Sequence, residues 1–201
     1  MSIAIQPSLA ELLRHGKVHR NLNAAPLVES AIRRGEARLA SNGALVAYTG
    51  RTGRSPKDKF TVKDELTAER VHWGAINQPF ERERFDALYD KVIEHLRDRE
   101  LFVQDLFAGA DPQYRLPIRV ITAQAWQSLF ARQLFLRPSW QELQNHQPEF
   151  LVISAPEFHA GPMRDGTNSG AFILVNFTRR MILIGGTAYA GEIKKSIFGI
   201  M

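Results

Sequence analysis

Three apolar runs in the second half of the chain, FLVISA (150–155), AFILVNF (171–177) and MILIGG (181–186), constrain the fold more than any other feature. Each has the length of a strand, is rich in β-branched and aromatic residues, and is bounded by turn-forming residues. None alternates apolar with polar, as a strand with one wet face would. Such strands are buried on both faces, so helices must lie above and below the sheet. LFVQDLF (101–107) and IRVIT (118–122), separated by the turn-rich AGADPQYRLP, extend the set.

The helices are read from period and punctuation. Ser8 and Glu11 have capping-box spacing, and Gly16 stops the short helix that follows. Pro26 suits a first helical turn, and Leu27, Ala31 and Leu39 form an apolar stripe that Gly43 ends. Between 80 and 99, Phe85, Leu88, Tyr89, Val92, Ile93 and Leu96 recur at helical spacing. The opposite face is charged, with candidate pairs Arg82–Asp86 and Glu94–Arg97. A helix from about 123 to 136 ends before Pro138, Ser139 and Glu142 offer a second capping box, and a last helix opens near Gly191. No repeat, low-complexity tract or linker divides the chain. The expected fold is α/β: one domain over 1–201, with a mixed sheet flanked by helices.

Composition narrows the function classes. The 201 residues include no cysteine, which excludes disulfides and thiolate chemistry and suits a reducing, cytoplasmic setting. No apolar run reaches the length of a membrane span. The N-terminus lacks the basic start and long apolar core of a signal peptide. A formal charge of +5 favours anionic partners. Nucleic acid is not expected among them, because the excess is modest and no binding motif accompanies it.

Two segments stand out chemically. ALVAY (44–48) reads as a strand running into a basic loop, and FTV (60–62) as a short return strand. Within 49–59, two arginines and two lysines against one aspartate leave +3, on a backbone broken by Gly50, Gly53 and Pro56. Glycines let backbone N–H groups approach a ligand, and arginine grips carboxylate or phosphate through paired donors. An anion cradle fits these residues, and so does a basic surface turn. The second segment, GGTAYAGEIKKSIF (185–198), leaves an apolar strand through paired glycines, passes Tyr189 and starts a helix at about Gly191. Ligands of open α/β sheets gather at such places. Lys194 and Lys195 are expected near the first turn of that helix, where the macrodipole disfavours cations unless something negative or metallic compensates. A solvated lysine pair accounts for them as well. No Gly-x4-Gly-Lys-Ser/Thr loop or Gly-x-Gly-x-x-Gly fingerprint occurs, and the six histidines form no zinc pattern.

Both segments resemble those of the ATP-dependent phosphoenolpyruvate carboxykinase family. Thr52–Gly53–Arg54–Ser55–Pro56–Lys57–Asp58–Lys59 is similar to its substrate loop. Gly185–Gly186–Thr187, Tyr189 and Gly191–Glu192–Ile193–Lys194–Lys195 are similar to its second substrate motif. LFVQDLFAGAD, ITAQAWQSLFARQLFLRP and VNFTRRMILIGGT look like the stretches between and beside them. Thr-Gly-Arg occurs twice in succession. The family's substrate arginine is therefore matched to Arg54, which precedes Ser55–Pro56, and Arg51 is given no role. Ala190 stands where many relatives have glycine.

The resemblance implies the reaction of oxaloacetate with ATP to give phosphoenolpyruvate, ADP and carbon dioxide, as used in gluconeogenesis. Arg54 would bind a substrate carboxylate and Tyr189 would lie against the substrate. Lys194 would face substrate or phosphate oxygens. Lys195 would ligate Mn²⁺ as the neutral amine, since an ammonium has no lone pair. Lys57 and Lys59 would add only a general positive field. The family also uses Mg²⁺ with ATP, and its nucleotide-binding loop and remaining metal ligands follow C-terminal to the dilysine helix. This chain thus looks like the N-terminal, substrate-binding domain of a cytoplasmic enzyme, monomeric at full length. Alone it is expected to be inactive for want of the nucleotide-binding domain. The alternative is a stand-alone anion-binding or regulatory module without catalysis.

Overall fold

The computed structural model describes residues 5–201, so the first residues of the stretch read above for a signal peptide lie outside it. In chain order the first elements are α1 (Pro7–His15), β1 (Val18–Arg20), α2 (Ala24–Arg33), β2 (Ala37–Leu39) and β3 (Leu45–Ala47). A 3-10 turn (Pro56–Asp58) leads into β4 (Lys59–Lys63), followed by β5 (Gln78–Glu81) and α3 (Arg82–Leu96). Next come β6 (Leu101–Ala108), β7 (Leu116–Thr122), α4 (Ala125–Leu134), α5 (Trp140–Gln144) and β8 (Phe150–Ala155). The short α6 (Pro162–Asp165), β9 (Phe172–Asn176), β10 (Met181–Gly185) and α7 (Gly191–Phe198) complete the series.

Eight strands form one mixed sheet in the order β1-β6-β7-β8-β10-β9-β4-β5, and β2 and β3 make a separate antiparallel ribbon. Successive side chains of a strand point to opposite faces, and here both faces are dry. Val103, Ile121, Leu151, Ile153, Leu174 and Leu183 meet α1 and α3 on one side. Leu106, Val120, Val152, Ile173, Val175 and Ile184 meet Ala131 of α4 and Ile193 and Ile197 of α7 on the other. A smaller cluster joins α2 to α4 through Leu27, Ala31, Ala125 and Leu129. Burial on both faces explains why the runs show no alternation. The expected α/β class with a mixed, helix-flanked sheet is what the chain forms.

Several local expectations change. α1 starts at Pro7 with Gln6 as N-cap and no side-chain cap, so the Ser8–Glu11 box does not form. Proline at the first helical position needs no partner for an N–H it lacks. The second box does form: Ser139 N–H donates to Glu142 Oε2 at 2.7 Å and Glu142 N–H to Ser139 Oγ at 3.3 Å. Bonds from Ser139 and from Arg115 pull the Glu142 carboxyl down to about 2.

α2 stops earlier than the apolar stripe implies. Gly35, at φ +69°, turns the chain, and Glu36 N–H bonds back to Ala31 O at 2.9 Å, a Schellman closure. Leu39 therefore lies in β2 and is exposed. β4 does not return along β3; it joins the main sheet between β9 and β5. On α3, Glu94 and Arg97 pair at 2.8 Å, whereas Asp86 pairs with Arg179 at 2.5 Å rather than with Arg82.

One buried polar network crosses the sheet edge. Asp105 of β6 accepts from Arg119 Nε of β7 at 2.6 Å and from Asn21 Nδ2 at 3.2 Å, and its N–H donates to Asn21 Oδ1 at 2.8 Å. His146 Nε2 lies 3.7 Å from the same carboxylate and 3.2 Å from Ile118 O. Burial pushes the His146 imidazole down in pKa, favouring the neutral ring. Among the described residues no helix is long and apolar enough to cross a membrane.

Candidate functional site

Strand directions bring the two unusual segments to one end of the sheet. β9 runs antiparallel to β10 and parallel to β4, with Ile173 opposite both Ile184 and Lys59. The chain therefore leaves β10 at the end where it arrives at β4. The basic loop and the Tyr189 loop are neighbours because one antiparallel strand lies between β10 and β4.

The basic loop is held by its own polar groups. Arg51 Nη1 donates to Ser55 Oγ at 2.7 Å and lies 3.5 Å from Asp58 Oδ2. Asp58 N–H closes the 3-10 turn on Ser55 O at 2.9 Å. The Lys57 carbonyl accepts from Gln78 Nε2 at 3.1 Å and from Asn168 Nδ2. Arg51 is thus committed to the loop's interior. Arg54, three residues on, is exposed and makes no hydrogen bond or ion pair among the described residues. Its guanidinium keeps all its donors for a ligand.

The second arm is pinned from below. Ser154 Oγ of β8 donates to Gln127 Oε1 at 3.0 Å, and Gln127 Nε2 donates to Ala188 O at 3.0 Å. Gly186 is left-handed at φ +65°, and a Cβ there would sit 2.2 Å from Gly170 O. Tyr189 N–H donates to Thr187 Oγ1 at 3.2 Å. The Tyr189 ring lies over the start of α7, so close that a Cβ on Gly191 would come 2.3 Å from it.

Between the arms is a cavity of about 250 Å³, lined by Arg54, Pro56 and Lys59 on one side and Glu192, Lys195 and Ser196 on the other. Ile76, 82% exposed, stands at its edge. A larger groove of about 500 Å³ beside Trp126 and Leu45 has no charged lining residue, so it offers nothing to grip an anion. Lys194 and Tyr189 flank the smaller cavity without lining it; one step along a helix turns Lys194 about 100° from Lys195. Lys57 is exposed and likewise does not line it.

The two arms touch directly. Ser55 N–H donates to Glu192 Oε1 at 2.6 Å, and both residues are buried. Burial pushes the Glu192 carboxyl up in pKa, opposed by the Ser55 N–H and by Arg54 and Lys59, while Asp58 adds to the rise. Glu192 occupies the first turn of α7, where the macrodipole favours an anion, and Lys195 falls in its last turn. The unfavourable dipole expected for Lys195 therefore does not arise in an eight-residue helix.

No group of three or more His, Asp or Glu side chains among the described residues could hold a metal ion. The Lys195 amine is one donor. A divalent cation beside it would need its other ligands from outside these residues or from solvent.

The model of the phosphoenolpyruvate carboxykinase family, in its ATP-dependent form, matches residues 16–201. The chain belongs to this family. It is 55% identical over 191 residues to phosphoenolpyruvate carboxykinase (ATP) 2 of Moorella thermoacetica, covering 94% of this chain and 36% of that protein. It is 53% identical over 202 residues to phosphoenolpyruvate carboxykinase (ATP) of Bacillus cereus strain AH187, and equally to that of Bacillus anthracis strain A0248. These matches cover 100% of this chain and 38% of each relative, so the chain spans well under half the length of the proteins it resembles.

Within this member of the family, reading the motifs alone gave no role to Glu192, named only as part of the second motif, or to Gln127. Glu192 was visible only as a carboxylate three residues before Lys195. Gln127 is one of two polar residues, with Ser128, on the buried side of α4, and a buried amide there is a hint that something beneath it needs a hydrogen bond.

Proposed function

We propose that this chain forms the substrate-binding part of an ATP-dependent phosphoenolpyruvate carboxykinase, converting oxaloacetate and ATP to phosphoenolpyruvate, ADP and carbon dioxide in cytoplasmic gluconeogenesis. The observation that carries the proposal is the cavity shared by Arg54 and Lys195, with the Arg54 guanidinium making no hydrogen bond or ion pair among the described residues. Loss of carbon dioxide from a β-keto acid leaves an enolate, and its oxygen must attack a phosphoryl group. Such a site has to hold a dianion and stabilise developing negative charge.

In this reading Arg54 grips a carboxylate through paired N–H donors, and Lys59 adds positive field. Tyr189, fixed against α7, would lie against the substrate. Lys194 faces substrate or phosphate oxygens. Lys195 is the residue that would hold Mn²⁺, through a neutral amine, with Mg²⁺ and ATP bound mainly by other parts of the full-length enzyme. A divalent cation there would supply Lewis-acid stabilisation of the enolate oxygen.

The test is calorimetric titration of the 201-residue chain with phosphoenolpyruvate. Arg54→Ala is expected to weaken binding about ten- to a hundredfold, the worth of a charge-assisted paired contact. Equal affinity in the two proteins would remove Arg54 from the site.

A further inference from the structure

The basic loop raises a physical problem that its charge does not solve. A segment broken by Gly50, Gly53 and Pro56 has many conformations available, and an arginine on it binds well only if its position is fixed beforehand. Most of the loop's bonds are internal or reach β5 and the 166–171 segment. The Ser55–Glu192 bond differs, because it joins residues 137 apart and runs to the helix that carries Lys195.

We propose that Glu192 is a positioning residue: its carboxylate fixes the Arg54 arm against α7 by accepting the Ser55 N–H, and so sets the spacing between Arg54 and Lys195. The proposal rests on the substrate reading above and adds a residue to it.

Three features support this role. The acceptor and donor are both buried, so water does not compete for the bond. Ser55 adjoins Arg54, so the anchored amide fixes the backbone from which the Arg54 side chain extends. On the helix side, Glu192 and Lys195 are three residues apart and share a face, which the common cavity lining reflects. The carboxylate also balances the surrounding cations: Arg54 and Lys59 face it from the loop, with Asp58 as the opposing charge. Glu192 therefore acts on the ligand in two ways of opposite sign. Its geometry helps an anion to bind and its charge resists it.

That opposition gives a test which a residue serving only the fold would not pass. Two variants of the full 201-residue chain are compared with wild type, by hydrogen exchange of the Ser55 amide and by calorimetry with phosphoenolpyruvate. Glu192→Ala removes both acceptor and charge. It is expected to release Ser55 exchange selectively, with the β8 and β10 amides still protected, and to weaken binding about tenfold. Glu192→Gln keeps a carbonyl acceptor and removes the charge. It is expected to retain Ser55 protection and to bind at least as tightly as wild type.

Unchanged exchange and affinity in Glu192→Ala would overturn the proposal. So would Glu192→Gln behaving like Glu192→Ala, or a loss of protection spread over the whole sheet. If wild type and Arg54→Ala both fail to bind phosphoenolpyruvate, the substrate reading falls. In that case the exchange measurement alone decides whether Glu192 anchors the loop.

Discussion

Gly186→Ala should lower the unfolding free energy by about 3–5 kcal/mol, near the upper end for single substitutions. Two costs combine. The left-handed backbone at φ +65° penalises any Cβ by about 1–2 kcal/mol. The new Cβ would also stand 2.2 Å from Gly170 O and 2.7 Å from Ala171 Cα, backbone atoms just before β9 that cannot swing aside. Urea unfolding would report the change as a fall in midpoint at constant slope. Gly35→Ala is the control, because φ is +69° there but nothing lies within 4 Å of the added carbon. It should cost only about 1–2 kcal/mol. Equal losses in the two variants would show that the contact with the 170–171 backbone carries no energy. Gly186 opens the loop that carries Tyr189, so the fold and the site depend on the same glycine.

Asp105→Ala is expected to cost a similar 3–5 kcal/mol through different physics. The Arg119 side chain is 15% exposed and its partner carboxylate 7%. Removing the carboxylate strands a guanidinium in a place with little water and takes the Asn21 Nδ2 contact with it, while the backbone N–H bond to Asn21 Oδ1 remains. The pair itself contributes far less than its rupture costs, because two charges were desolvated to make it. Replacing both residues together, Asp105→Leu with Arg119→Met, should therefore recover most of the loss. Denaturant titration of the single and double variants measures the difference. A double variant no more stable than Asp105→Ala would mean that the network does more than satisfy its own charges.

Much of this architecture was legible in the sequence, and the parts that were not share a cause. The runs at 150–155, 171–177 and 181–186 announced themselves because a strand buried on both faces has no freedom to be polar. β1, β2 and β5 did not, since segments of three or four residues are strands only by virtue of the neighbours they pair with. Leu39 misled because an apolar residue at helical spacing also fits an exposed ribbon, whereas Gly35 carried the true stop signal.

The basic loop was recognisable from composition, but its reading as part of a return hairpin was not right. β4 crosses to the main sheet, and this crossing places the loop beside α7. The bond from Ser55 to Glu192 joins positions that no local pattern connects. Sequence could name Arg54 and Lys195 as candidates; the topology brings both to a common cavity.

The most direct test is an experimental structure of the chain with phosphoenolpyruvate bound. It should show the ligand between the two arms, its carboxylate paired with the Arg54 guanidinium at about 3 Å and Lys195 on the facing wall. An anion seated elsewhere, with residue 54 turned away from α7, would contradict the account.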